Sequence, residues 1–280
     1  MNPNDTKTIQ NIQEEFIMLG KKTIFITGAG SGLGKGAALG LAKKGHKVIA
    51  SVEIIPQVTE LREEAKAQGL DIEVLKLDVN KPLDRIQLEK YDFDVYVANA
   101  GIGEGGPLAE IPVDNIRQIF DTNVFNSLEM VQIVARQFVA KKKGKIIFVS
   151  SIAGLSVTPY LGAYCASKHA VEAMAQALKE ELKEFGIQVA TINPGPYKTG
   201  FNDNMFEQKE KWYDEKTNFT KRADLLKGEK MLAQQFDPQD MIDKMVEVID
   251  AKHHPFRNVY PKPSEEQVKE YQAKIWEETV

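Results

Sequence analysis

From residue 22 onward, short apolar runs alternate with longer stretches whose apolar positions recur every three or four residues. The runs at 23–27, 47–52, 72–77, 94–98, 145–149 and 188–192 read as strands, and several are apolar at successive positions rather than alternate ones. That pattern suits strands with both faces covered, as in a parallel sheet packed between helices. Helical spacing fills 33–44, 58–68, about 113–140 and about 163–185. Gly45 and Gly186 follow two of these segments, where a left-handed C-terminal residue is favoured. Joined by right-handed crossovers, the series predicts an α/β fold, a doubly wound parallel sheet of the Rossmann type.

No linker-like composition and no internal repeat divides the chain, so residues 22–280 read as a single domain. Residues 1–21 read as an N-terminal extension, with a short helix expected around 9–18. Residues 200–235 are charged and aromatic-bearing and are expected to be irregular; a helix at about 238–251 and a strand near 258–260 then close the fold. The insert follows the sixth strand, at the carboxyl edge where open α/β sheets bind ligands, so it is a candidate substrate lid. Its Phe201, Met205, Phe206, Trp212, Tyr213 and Phe219 fit a partly hydrophobic substrate, or equally an aromatic patch against a neighbouring subunit.

The first strand runs straight into a glycine-rich turn, Gly28-Ala29-Gly30-Ser31-Gly32-Leu33-Gly34, and then into a helix. Glycine at such a junction lets the chain turn sharply and lets backbone amides approach a diphosphate at the helix N-terminus. The spacing, with glycines at 28, 32 and 34 after Thr27, resembles the short-chain dehydrogenase/reductase family. Further pieces follow in that family's order: Asp78-Val79, Ala98-Asn99-Ala100-Gly101, Asn123, Ser150-Ser151, Tyr164-x-x-x-Lys168, Asn193-Pro194-Gly195 and Thr199. The resemblance covers about residues 22–261 and implies an oxidoreductase that moves a hydride between a nicotinamide dinucleotide and an alcohol/carbonyl pair. It implies cofactor contacts from the loop residues Gly28, Ser31, Gly32, Leu33 and Gly34. Asp78, with Val79, is implied at the adenine, and Asn99, Ala100 and Gly101 beside the adenosine half. Pro194, Gly195, Tyr197 and Thr199 are implied along the nicotinamide side.

A four-residue separation puts Tyr164 and Lys168 on one helical face. A phenol titrates near ~10, too high for easy proton exchange at neutral pH, and a nearby ammonium favours its ionised form. Tyr164 is therefore the expected general acid/base. Lys168 supports it and, by the resemblance, also binds the nicotinamide ribose. Ser151 stands at the family offset for the serine that holds the substrate oxygen, while strand alternation sends Ser150 to the opposite face. Asn123 resembles the family asparagine that holds a water behind the lysine. Cys165 and His169 read as packing residues, and no metal site is expected.

Glu53 ends the second strand, where NADP-dependent relatives carry arginine, and Ser31 takes a loop position often basic in them. A carboxylate there accepts bonds from both ribose hydroxyls and repels a 2′-phosphate, so NAD is favoured over NADP. The usual NAD-type acid lies one residue earlier, at Val52, and Lys35 or Arg62 could supply compensating charge. The net charge of −4 gives no footprint for nucleic acid, and no run is long enough to span a bilayer. One cysteine and no secretory pattern read as cytoplasmic. Ala163, Ala166, Ala170, Ala173 and Ala177 give the tyrosine-bearing helix a small-sided face, and relatives pair this helix across subunits, implying a homodimer or homotetramer. Two rival functions stand beside this one. A sugar-nucleotide epimerase or dehydratase shares the Tyr/Lys pair but has evenly spaced glycines and a longer chain. A dinucleotide-sensing regulator without turnover needs no proton relay.

Overall fold

The computed structural model describes residues 20–232 and 234–279; the helix expected around 9–18 lies outside them. Seven strands form one parallel sheet: β1 (Thr23–Ile26), β2 (Lys47–Val52), β3 (Ile72–Lys76), β4 (Val95–Ala98), β5 (Gly144–Val149), β6 (Ile187–Pro194) and β7 (Arg257–Tyr260), in the order 3-2-1-4-5-6-7. The helices are α1 (Gly32–Lys43), α2 (Ile55–Ala67), α3 (Pro82–Arg85), α4 (Val113–Phe120), α5 (Asn126–Lys141), α6 (Gly162–Glu181), α7 (Phe201–Glu207), α8 (Arg222–Met231), α9 (Pro238–Asp250) and α10 (Lys262–Ile275). The doubly wound architecture is as expected from the apolar runs.

Successive strand residues divide between two cores, which explains why the runs are apolar throughout. Ile24, Ile26, Val48, Ala50, Val95 and Val97 pack with α1, α2 and α9 on one face. Their chain neighbours Phe25, Ile49, Tyr96 and Phe148 pack with α5 and α6 on the other. Phe25, Phe93 and Tyr96 lie with ring centroids 5.4 to 6.2 Å apart. Each such ring, fully buried, contributes on the order of 2 kcal/mol.

Three expectations need correction. The helix expected over about 113–140 is interrupted by a π-helical turn, Asp121–Phe125, which carries Asn123. An extra residue in a turn re-aims the side chains there, and such turns often sit at functional sites. The insert over 200–235 is not irregular: α7, a 3₁₀ turn (Gln208–Lys211) and α8 occupy much of it. Its charged residues hid these helices; the ion pairs Arg222–Glu210 and Lys209–Glu229 tie α8 to the 3₁₀ turn. Finally, α10 follows the last strand and was not expected; it buries little beyond Ser264 and Val268, so its sequence carries no strong apolar stripe.

The sheet winds outward in both directions from the β1/β4 pair. The loops after those two strands therefore diverge and leave a crevice at the carboxyl edge.

Candidate functional site

A cavity of about 510 Å³ opens in that crevice. It is lined by the glycine turn, by Glu53 and Asp78–Asn80, by Asn99–Gly103, by Ser151, Tyr164 and Lys168, and by residues from Pro194 to Met205. Every residue expected to bind cofactor lines it, and so do three of the four expected to act chemically; Asn123 stands just behind the wall.

The turn after β1 is built from backbone. Gly28 has a φ of +64°, and a Cβ on it would lie 2.8 Å from the Ala100 Cα. A Cβ on Gly34 would meet the Gly28 carbonyl at 2.6 Å and the Asn99 amide closer still. Thr27 ties the two diverging loops together: its hydroxyl accepts the backbone N–H of Asn99 (3.0 Å) and of Ala100 (3.1 Å). The Asn99 side chain donates to the Thr27 and Gly28 carbonyls, so it shapes the turn rather than projecting at a ligand. α1 begins at Gly32 with no acidic residue in its first turn and no side-chain cap from Ser31. Its first N–H groups are therefore available to an anion. A diphosphate fits this cradle.

At the adjoining end, Glu53 is exposed on the rim. Both candidate compensating cations are engaged elsewhere. Lys35 pairs with Glu64 at 2.9 Å, and Arg62 donates to the Val74 carbonyl at 2.6 Å. Gln57, not anticipated from sequence, also lines the cavity. Its side-chain oxygen accepts the N–H of Glu53 (3.1 Å) and Ile54 (3.3 Å), and its amide covers Gly30. Its place three residues into α2 after Ile54 was the available signal, since that is where a glutamine reaches back to a helix start.

In the middle of the cleft stand the chemical groups. Tyr164 is 7% exposed, and its ring lies 5.8 Å from the Lys168 ammonium. Burial pushes the phenol above its ordinary value, and a hydrogen bond with Ser151 pulls the other way. The Ser151 hydroxyl accepts the Ala153 N–H at 3.1 Å, which leaves its own proton free to donate. Lys168 donates to the Val149 carbonyl at 3.0 Å. Burial lowers its pKa to about 8 against the pull of Glu172. Desolvation is the largest influence on the phenol in this cleft, and Lys168 is not among the groups that shift it. Ser150 also lines the cavity, and its buried hydroxyl has no partner among the described residues.

No direct hydrogen bond joins Asn123 to Lys168. Its amide exchanges two 2.8 Å bonds with the Ile102 backbone and donates to Ser167 at 3.0 Å. It fastens the loop after β4 to α6. A second buried network lies beneath: Glu172 accepts from Asn193 at 2.6 Å and pairs with Arg257 at 3.0 Å. Asn193 also donates to the Ser151 carbonyl at 3.3 Å. Glu172 follows Lys168 by one helical turn, which was its only trace in the sequence. Tyr197 is buried beside Phe236, ring centroids 5.9 Å apart, and also lines the cavity.

A doubly wound sheet with a glycine cradle at its switch point and a Tyr/Lys/Ser group beside it defines a dinucleotide-type α/β oxidoreductase. The sequence profile described as short chain dehydrogenase matches residues 22–210, and the chain belongs to that family. A diacetyl reductase ((S)-acetoin forming) of Staphylococcus epidermidis is 37% identical over 67% of this chain and 76% of its own. Among solved structures, a short-chain dehydrogenase/reductase of Burkholderia phymatum in complex with NAD superposes with a TM-score of 0.75, at 23% identity over 91% of this chain and 94% of that one. A short-chain dehydrogenase of Sphingobium yanoikuyae in complex with NADPH superposes at 0.70, with 19% identity over 92% and 96%.

Proposed function

We propose that the chain interconverts a carbonyl compound and an alcohol, using NAD(H) in preference to NADP(H), with Tyr164 as the proton donor and acceptor. The observation that carries this reading is the meeting of Tyr164 and Ser151 in one cleft with an anion-ready glycine cradle. A bound nicotinamide ring supplies or accepts the hydride. The chain's own residues do the rest. The glycine turn and the start of α1 hold the diphosphate, and Glu53 takes the adenosine ribose. Ser151 donates its free proton to the substrate oxygen as charge develops there. Tyr164 passes a proton to the same oxygen in reduction and recovers it in oxidation. The Lys168 charge, in a dry site, favours the phenolate whenever the proton has left.

Glu53, with Lys35 and Arg62 both engaged, supports NAD over NADP. Ala166, Ala173 and Ala177 are exposed on α6, which supports a homodimer or homotetramer joined across that face. The buried thiol of the lone Cys165 suits the reducing cytoplasm. No described helix is long and apolar enough to cross a membrane. The test is the loss of reduced-cofactor absorbance with aldehydes, ketones, keto-acyl thioesters, steroids and sugars, run with NADH and with NADPH. Turnover with NADH at higher kcat/KM than with NADPH is expected. No turnover on any substrate despite tight cofactor binding would instead make the protein a sensor.

A further inference from the structure

The cleft is electrically lopsided, and that asymmetry identifies what enters its reacting end. Glu53 and Asp78 line one end. Beyond Tyr164, toward the lid, the wall is Ile102, Leu161, Phe201, Met205 and Leu232, with neutral polar groups such as Ser156 between them. Among the described residues lining the cavity, the only cation is Lys168, which is committed to the Val149 carbonyl. The lid does carry cations, but none of them lines this cavity, and two are held in ion pairs outside it: Lys209 with Glu229 at 2.5 Å, and Arg222 with Glu210 at 2.9 Å.

Met205 sets the shape of this end. It is 1% exposed, and its backbone carbonyl accepts the Gly105 N–H at 2.8 Å, which seats α7 on the loop after β4. A Cβ on Gly103 would lie 2.7 Å from the Met205 sulfur and 3.2 Å from the Tyr164 ring, so thioether, loop and phenol pack against one another. Phe201 adds a second apolar wall, its ring centroid 5.8 Å from that of Tyr164. A carboxylate or ammonium brought here would be stripped of water and find no counter-charge.

We infer that the substrate is an uncharged ketone or alcohol with an apolar flank, and that Met205 is the side chain that selects it. This rests on the oxidoreductase reading above. The test compares para-acetylbenzoate with its methyl ester, two ketones of nearly one shape that differ by a charge. The ester's kcat/KM should exceed the acid's by roughly 100-fold or more, the scale on which an unpaired buried charge is rejected. Independently of turnover, calorimetry on the cofactor-bound protein should show benzamide binding and para-carbamoylbenzoate not binding. In Met205→Ala, kcat/KM for a bulkier aryl ketone should rise relative to acetophenone, and Met205→Leu, of similar volume, should restore the original ratio. Equal or better use of the acid, tighter binding of the charged amide, or no binding of either amide overturns the inference. A calorimetric preference for the neutral amide with no ketone reduced would uphold the rejection of charge at this end and overturn the reaction instead.

Discussion

The two ends of the cleft are made of different material. The cofactor end is largely backbone: glycines at 28, 32 and 34, the first N–H groups of α1, and a threonine and an asparagine whose bonds to main chain shape the turn. The substrate end is side chain: Met205 and Phe201 from α7, packed on Tyr164 and a glycine loop. A backbone cradle can be made in few ways and leaves a fixed spacing in sequence. A side-chain wall of the same shape can be made in many, and leaves none.

The largest expected effect falls at the junction of the two ends. Tyr164→Phe keeps the packing but removes the proton. Turnover should drop by about 1,000-fold, the range of a lost general acid/base, while NADH affinity by fluorescence titration stays within a few-fold. Near-normal turnover would break the mechanism at its centre.

The next test asks whether the cofactor end tolerates a side chain. Gly34→Ala would push a methyl into the Gly28 carbonyl and the Asn99 amide, neither of which can move without opening the turn. A stability loss of about 1–3 kcal/mol in urea unfolding is expected, as for other overpacked sites, together with loss of measurable NADH binding. A variant that binds NADH normally would show that the cradle is looser than its contacts imply.

How legible each region was follows the same division. The central strands were readable because both faces of the sheet are covered, which makes successive residues apolar, as in Val48–Ile49–Ala50. The glycine turn, Ser151 and the Tyr164/Lys168 pair were readable because a turn and a helical face each impose a spacing. The π-helical turn at Asp121–Phe125 was not, since the apolar period continues through it and its cause is the tertiary anchoring of Asn123 to Ile102. The Glu172–Asn193–Arg257 network was not, because its members come from α6, β6 and β7 and meet only in the fold. Helix α8 was hidden by charge, much of which turns out to be paired.

A smaller effect should sharpen the reading of the rim. Glu53→Arg replaces the carboxylate with a cation that suits a 2′-phosphate. The NADH/NADPH ratio of kcat/KM should fall by about tenfold or more, equivalent to roughly 1.4 kcal/mol of lost discrimination. An unchanged ratio would move the determinant away from Glu53, with Gln57 the adjacent candidate.

The smallest effect concerns stability. Burial holds Lys168 at about 8, below the 10.5 of an ordinary lysine. The unfolded chain therefore binds that proton more tightly than the folded one, and the charge opposes folding. The opposition is full below about pH 8 and fades as pH rises toward 10.5. Lys168→Met removes the charge along with its bond to the Val149 carbonyl, and it should cost turnover. Near neutral pH its Tm should nevertheless exceed that of the unaltered protein, by roughly 2–4 °C for each kcal/mol regained. The margin should narrow above about pH 9, because there the unaltered protein no longer carries the charge. A variant less stable at every pH would mean that Lys168 holds α6 to β5 more than it strains them. The chemical centre would then belong with the rigid cofactor end, rather than being a place where stability is given up for a charged, water-poor site.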